Sequence, residues 1–314
     1  MEIDKILPKM KKDVPLSRYT TFGIGGKTRY FIEVESEDDL ERVIKASKEF
    51  NLPFLVLGNG SNMLISDKEY EGIVIKMSGR SISLDEETII SDSGVLLPIL
   101  IDFCFKEKFS GLEWAAGIPG TVGGAIRGNA GAFGNSISDK VVTVKVMDTK
   151  TGRKRIMSSK ECEFEYRESI FKKADNLIIL EASMKLEKDD SDRIKEKTNQ
   201  YLNYRKKMHP REPSAGSIFK SHYMKDDERA EVIIKFPDIE KFGDFIPAAF
   251  LIEQCGLKGA RSGDAMVSTL HSNFIINVGT AKAEDVKELI MLIKKKVKER
   301  FGIILEEEIQ YIGF

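Results

Sequence analysis

"GLEWAAGIPGTVGGAIRGNAGAFG", Gly111 to Gly134, holds eight glycines in twenty-four residues together with the only tryptophan of the chain, and it contains no Lys, Asp, His or Cys. Glycine loses the most backbone freedom on folding and weakens helix and strand alike, so a folded chain keeps such a run only where bare backbone has a use. Two shorter segments repeat the signal, "YTTFGIGG" from Tyr19 to Gly26 and "LGNGSNML" from Leu57 to Leu64. Successive amides in tight glycine turns form concave anion sites, and without Cβ atoms a pyrophosphate or a flat ring can lie directly on the main chain. Any one segment reads equally well as a turn between short strands. The three together imply a large ligand with a polyanionic middle.

At 314 residues the chain exceeds what one core usually fills, so more than one domain is expected. Lys plus Arg (49) nearly balances Asp plus Glu (50), and a net charge of -1 provides no global field for nucleic acid or a membrane surface. Anions must then be bound locally. The stretch "MEIDKILPKMKK" lacks an apolar core, and no segment approaches the length of a membrane span, so a soluble cytoplasmic protein is expected. Cys104, Cys162 and Cys255 are far apart and never arranged as C-x-x-C, which argues for buried reduced thiols rather than disulfides. His209, His222 and His271 are scattered without carboxylates at ligand spacing, so no metal site is expected.

Along the chain, "TRYFIEVES", "SEDDLERVIKASKEFN" and "PFLVLGNGSNMLI" read as strand, helix and strand, with Ser36 as the helix start. "GIVIKMS" and "ETIISDSG" read as strands and "LLPILIDFCFKEKF" as a helix; "VVTVKVMDTKTGRKRIMS" reads as a hairpin around Thr151 and Gly152, followed by a strand at "NLIILEASMKL". The polar helix "DDSDRIKEKTNQYLNYRKK" leads into a third unit with helices at "AAFLIEQCG" and "AKAEDVKELIMLIKKKVKERFG" and strands at "NFIINVG" and "IILEEEIQYIGF". The expected class is α+β, divided at 1–75, 76–205 and 206–308, with a last strand over 309–314 returning to the first part.

Two motifs that imitate nucleotide sites fail on context. "TFGIGGKT" has Thr21 where a phosphate-binding P-loop needs its first glycine, and the residues after it read as a strand instead of a helix. "GNGSNM" lacks the third glycine and the helix of a dinucleotide fingerprint. The run "KKKVKER" continues an amphipathic helix with Leu289, Ile290, Leu292, Ile293 and Val297 available for a core, so it reads as a solvated face.

"TTFGIGG", "LGNGSNML", "GIPGTVGGAI" with "NAGAFG", "EYRESIF", "PSAGSIFK", "LIEQCGLKG", "HSNFIIN" and "LEEEIQYIG" occur in an order and spacing that resembles the UDP-N-acetylenolpyruvoylglucosamine reductases, also called UDP-N-acetylmuramate dehydrogenases, nearly from end to end. The resemblance implies an FAD-binding fold of the vanillyl-alcohol-oxidase type in two α+β subdomains, with a third α+β domain for the substrate. It implies non-covalent FAD, NADPH as co-substrate, a UDP-sugar as the small-molecule partner, and a role in peptidoglycan precursor synthesis. Non-covalent attachment also agrees with the lack of His or Cys in the three glycine segments. A monomer is expected. The backbones of Gly58, Asn59, Gly60, Ser61, Asn62, Gly117, Pro119, Gly120, Gly123 and Gly124 would cradle the FAD pyrophosphate. Tyr19, Thr20, Thr21, Gly25, Asn129 and Gly131 would line the rest.

The family reaction adds hydride to the terminal methylene carbon of an enolpyruvyl ether, leaving enolate-like charge in the adjacent carboxylate. By resemblance Arg167 of "EYRES" answers that charge with its planar fork, although an arginine near a strand end is by itself an ordinary surface residue. Glu308 of "LEEEIQ" matches the second activating group; it helps only if protonated or paired with a cation such as Arg167. Strand alternation puts Glu306 and Glu308 on one face and Glu307 on the other, so periodicity does not choose between Glu306 and Glu308. Ser217, the second serine of "SAGS", matches the proton donor; alone it would read as a turn or cap hydroxyl. Tyr166, Arg205, Lys207 and Lys220 are the candidate substrate contacts. The chain departs from the family pattern at "HPREPSAG" and at Ser221 and His222 after "SIFK", and the fifty residues from Arg167 to Ser217 match the shorter form without a substrate-capping insertion. Two other readings remain: another FAD-dependent oxidase or dehydrogenase of the same fold, which needs the glycines but not this triad, and a nucleotide-sugar-binding module without flavin.

Overall fold

The computed structural model describes residues 3–224 and 232–314, whose contacts divide into two units. The first comprises Met1–Val14, Thr28–Asn59 and Tyr70–Lys207; the second comprises Pro15–Lys27, Gly60–Glu69 and Met208–Phe314.

In the first unit, β1 (Lys11–Pro15), β2 (Lys27–Val34), β3 (Phe54–Leu57) and β5 (Tyr70–Met77) form a sheet of order β1-β2-β5-β3, while β4 (Met63–Ile65) belongs to the second unit. β2 and β3 both run parallel to β5. Parallel strands covered on both faces read as continuous apolar runs, and Ile73, Val74 and Ile75 are all fully buried. Helix α1 (Glu37–Glu49) links β2 to β3; the Ser36 hydroxyl caps it by accepting from the Asp39 amide, and Leu40, Val43 and Ile44 face the sheet core.

A second sheet in this unit is antiparallel throughout, with β6 (Ile82–Asp85), β7 (Thr88–Asp92), β8 (Val141–Asp148), β9 (Lys154–Ser158) and β10 (Leu177–Lys185) in the order β9-β8-β10-β7-β6. Helices α2 (Leu97–Lys106) and α3 (Val122–Arg127) pack into its core, and α4 (Ser191–Met208) closes the unit. The apolar start of β10 serves two cores, because alternate residues of a strand point to opposite faces: Ile178 and Leu180 join the first, Ile179 the second.

In the second unit, β11 (Ser214–Ser217), β12 (Arg261–Ser262), β13 (Ala265–Val267) and β14 (Phe274–Asn277) form an antiparallel sheet of order β11-β14-β13-β12. Helices α5 (Ala248–Gln254) and α6 (Ala283–Phe301) supply the other layer. Leu289, Ile290, Ile293 and Val297 of α6 are buried while Lys295, Lys296 and Lys298 are exposed, so the basic run is a solvated helix face. The final strand is shorter than its apolar pattern suggested. Glu307 makes one bridge with Phe219, and only β15 (Gln310–Ile312) is a continuous strand, parallel to β4.

The units cut the chain differently from the boundaries 1–75, 76–205 and 206–308. Residues 15–27 and 60–69 group with the C-terminal part because Phe22, Ile24 and Leu64 bury themselves in its core and β4 pairs with the last strand. The return of the last strand to the first part of the chain is as expected, whereas the grouping of residues 15–27 and 60–69 with the C-terminal core has no local sequence signal. Among the described residues, no helix is long and apolar enough to cross a membrane.

Candidate active site

The glycine segments allow close packing of their backbone against neighbouring main chain and side chains. A Cβ on Gly60, which has φ +59, would lie 2.2 Å from the Tyr19 carbonyl oxygen; on Gly58 it would lie 2.5 Å from Thr121 Oγ1, and on Gly123 it would lie 2.8 Å from Ser93 Cβ. Gly117, at φ +84, leaves room for the Arg205 side chain, whose Cδ would stand 2.9 Å from a Cβ there. These glycines therefore serve the fold whether or not a ligand is bound. Gly60→Ala is expected to lower the stability of the flavin-free protein by roughly 1–3 kcal/mol through overpacking, read as a fall in its thermal midpoint. Loss of FAD affinity with an unchanged midpoint would return Gly60 to the role of a ligand contact alone.

In the first unit, Asn59 Nδ2 donates to the Pro119 carbonyl at 2.6 Å and Lys76 Nζ donates to the Gly58 carbonyl at 3.0 Å. Lys76 escaped the sequence reading; burial pulls its ammonium below the ordinary value, although Glu33 opposes this. The α3 end of the long glycine segment is already bonded internally. Val122 N–H goes to Val95 O, Gly123 N–H to Ser93 O, and Gly124 N–H to the capping hydroxyl of Thr121. Gly123 and Gly124 are thus held by the fold, and the donors left for an anion lie elsewhere. Among the described residues the amides of Gly58, Asn59, Gly60, Ser61 and Asn62 donate no hydrogen bond, so this segment presents consecutive free N–H groups. Buried polar atoms of the first unit that lack partners among the described residues include Ser93 Oγ, Trp114 Nε1, Arg127 Nη1 and Arg205 Nε. Buried donors without acceptors are rare in folded proteins and signal a ligand or water. Within the first unit, the free amides of Gly58 and Asn59 and these orphaned atoms fit a pyrophosphate-bearing cofactor of the FAD kind.

Arg167 is on a tight turn, not at a strand end. Glu165 and Glu168 exchange N–H···O bonds of 3.1 Å each, and Arg167 sits between them half-buried at φ +58, with its guanidinium over the exposed Tyr166 ring. Gly131 lies against this turn, since a Cβ there would come within 3.3 Å of Arg167 Nη1. Asn129 is buried, and both ends of its amide are engaged: Nδ2 donates to Glu165 O at 2.8 Å, and Oδ1 accepts from Ser138 N–H at 3.3 Å. It fastens the Arg167 turn. Arg205 donates from Nη2 to Trp114 O at 3.0 Å and lies over the Phe133 ring, with burial pulling it below its ordinary value. Lys207 is exposed, and a spacing of two residues puts it on the far side of α4 from Arg205. The helix does not bring these two cations together.

The second unit joins the other two members of the expected triad. Ser217 ends β11 after Gly216 at φ +78, opposite Phe274, in a bulged register. Beyond it, Glu308 N–H donates to Ile218 O at 2.8 Å and Lys220 N–H donates to Glu306 O at 2.9 Å, so residues 306–308 run antiparallel to 218–220. Asn62 Nδ2 holds the Glu308 carbonyl at 3.2 Å, and the Gln310 amide bonds Asn62 O. The three glutamates separate by partner. Glu306 is exposed and pairs with Lys220 at 3.6 Å; Glu307 pairs with Lys294 at 2.8 Å; Glu308 is half-buried beside the residue following Ser217. Asn273, also missed in sequence, accepts from Phe219 N–H and donates to Phe219 O, which fixes the segment after Ser217. Thr21 Oγ1 donates to Ser214 O and Thr20 Oγ1 to Ile24 O, so both hydroxyls brace the loop that carries them. Gly25, at φ +142, packs closely on Leu16 and Ile65.

A family model for the C-terminal domain of UDP-N-acetylenolpyruvoylglucosamine reductase matches residues 208–312, and an FAD binding domain model matches residues 28–157. A UDP-N-acetylenolpyruvoylglucosamine reductase of Alkaliphilus oremlandii is 39% identical over 316 residues, 99% of this chain and 96% of that protein. One from Solibacter usitatus is 37% identical over 300 residues, 95% of each. The crystal structure of the Thermus caldophilus UDP-N-acetylenolpyruvylglucosamine reductase superposes with a TM-score of 0.77 at 32% identity, covering 97% of this chain and 100% of that one. Fold and site define an FAD-dependent oxidoreductase built on the vanillyl-alcohol-oxidase type of flavin domain, α+β in class, with an α+β C-terminal domain. Within that class, the chain belongs to the UDP-N-acetylenolpyruvoylglucosamine reductase family.

Proposed function

We propose that the protein reduces the enolpyruvyl ether of UDP-N-acetylglucosamine to the lactyl ether of UDP-N-acetylmuramate with electrons from NADPH, as a cytoplasmic step of peptidoglycan precursor synthesis. Bound FAD would supply the hydride chemistry that connects NADPH with the terminal methylene carbon of the enolpyruvyl group. The protein then answers the charge left in the adjacent carboxylate. Arg167 offers a planar pair of donors to that carboxylate, and Glu308 is the second activating group of this reading. The Ser217 hydroxyl gives its proton to the carbon next to the carboxylate, which completes the addition of hydride and proton across the double bond. The free amides of Gly58 and Asn59, with Lys76 bonded to the Gly58 carbonyl, suit the FAD pyrophosphate. Lys220 and Tyr166 are the remaining substrate contacts; Arg205, bonded to Trp114 O, suits the flavin side better than a UDP pyrophosphate.

The observation that supports this reading is the bond from Glu308 N–H to Ile218 O, which lays the main chain of half-buried Glu308 beside the end of the strand that carries Ser217. An oxidase or dehydrogenase acting on another substrate would not require that pairing. Anaerobic reduction of the holoenzyme by one equivalent of NADPH, followed by UDP-N-acetylglucosamine enolpyruvate, is expected to bleach and then restore the oxidised flavin spectrum. Bleaching without restoration would reject this acceptor and favour the oxidase or dehydrogenase.

A further inference from the structure

The turn that carries Arg167 is fastened at more points than its length requires. Its two-residue tip, Tyr166 and Arg167, is closed by the reciprocal Glu165–Glu168 bonds, and Arg167 adopts left-handed backbone. A long side chain holds that conformation only where its surroundings over-determine it. Asn129 Nδ2 ties down Glu165 O, and the fully buried Ser169 donates from Oγ to Arg127 O at 2.6 Å. These two bonds anchor the ends of the turn. A third reaches its tip: Lys172 Nζ donates to the carbonyl of Arg167 itself at 2.5 Å. The Lys172 side chain is only 15% exposed and lies 3.6 Å from the Glu168 carboxylate. A bond from a charged donor is shorter and stronger than a neutral one, so the Arg167 peptide plane is gripped by an ion and not merely by packing.

We propose that Lys172 is a positioning residue for Arg167: by holding the Arg167 carbonyl it fixes the backbone conformation that determines where the guanidinium points. The proposal deepens the reading of Arg167 as the group facing the substrate carboxylate and rests on it. Lys172 needs no contact with substrate or cofactor, because it acts through a peptide plane. Lys172 lies on the short helix Ile170–Lys173 that follows the turn, and from there its ammonium reaches the Arg167 carbonyl.

The test uses the holoenzyme and four variants: Lys172→Met, Lys172→Arg, Arg167→Ala and the double variant Lys172→Met/Arg167→Ala. Misplacing a positioned group by about 1 Å costs on the order of 10²-fold, so Lys172→Met is expected to slow reoxidation of the reduced enzyme by the enolpyruvyl UDP-sugar by ~10- to 100-fold. Flavin reduction by NADPH should stay within about twofold. Lys172→Arg, which keeps a charged donor, should recover most of the rate. In the Arg167→Ala background, Lys172→Met should add less than about twofold, since residues acting through one another are not additive. Hydrogen exchange in the flavin-free protein gives a readout apart from activity: the Glu165 and Glu168 amides should exchange faster in Lys172→Met. Additive slowing in the double variant, equal slowing of both half-reactions, or unchanged exchange at the turn would each overturn the proposal. If Arg167→Ala alone left reoxidation intact, the reading of Arg167 would fail; exchange would then report whether the Lys172 bond still holds the turn as a structural element only.

Discussion

Ser217→Ala is expected to leave reduction of the flavin by NADPH nearly unchanged and to slow its reoxidation by UDP-N-acetylglucosamine enolpyruvate by ~10² to 10⁴, the range for loss of a positioned proton donor. The structure supplies the reason for so specific an effect. The hydroxyl of Ser217 makes no hydrogen bond to any described residue, so its removal breaks no internal network. The strand around it is held by other means: Ser214 pairs with Ile276, Ser217 with Phe274, and Asn273 clamps Phe219. A serine that served the fold would be missed in thermal stability; this one should be missed in one half-reaction. Stopped-flow measurement of each half separately decides the matter, and equal slowing of the two would remove Ser217 from the proton-donor role.

Arg167→Gly should slow the same half-reaction by ~10² to 10³ through loss of the donors on the developing charge, without lowering the thermal midpoint of the flavin-free protein. The asymmetry follows from φ +58. Left-handed backbone costs a non-glycine residue about 1–2 kcal/mol, which glycine relieves, while its greater freedom in the unfolded chain offsets roughly 0.4–1 kcal/mol of that gain. Activity and stability therefore move independently at this position. Arg167→Lys should not restore the rate, because an ammonium point charge cannot reproduce a planar fork on a carboxylate. A midpoint lowered by several degrees in Arg167→Gly would mean that the side chain packs as a structural element and that the strain argument is wrong.

Much of this was legible in sequence for local reasons. Ser36 caps its helix, the Thr151–Gly152 hairpin turns with Gly152 at φ +73, and the apolar stripe of α6 is buried where its periodicity placed it. The order of motifs carried the family and the flavin fold. What sequence missed depends on partners distant along the chain. Gly58 reads as ligand backbone, and the sequence gives no sign that Thr121 also packs against it; nor does it show that the Asn129 amide bridges Glu165 and Ser138. Arg205 and Lys207 both read as substrate contacts, although helical geometry turns them apart. Glu306 and Glu308 could not be told apart by strand alternation; Lys220 separates them by taking Glu306 as its ion partner.

The pairing of β4 with β15 has a consequence for how the protein is made. Asn62 and the Glu308 carbonyl it holds are 246 residues apart in sequence, and Phe22, Ile24 and Leu64 complete a core supplied mostly by residues after Met208. At a synthesis rate of about 5–20 residues per second, these early apolar side chains wait on the order of ten seconds to a minute for their partners to leave the ribosome. During that interval the second unit exists as fragments with an unpaired strand. A nascent chain halted before Gln310 should therefore bind holdase chaperones through the 15–27 and 60–69 segments and release them only when the last strand emerges.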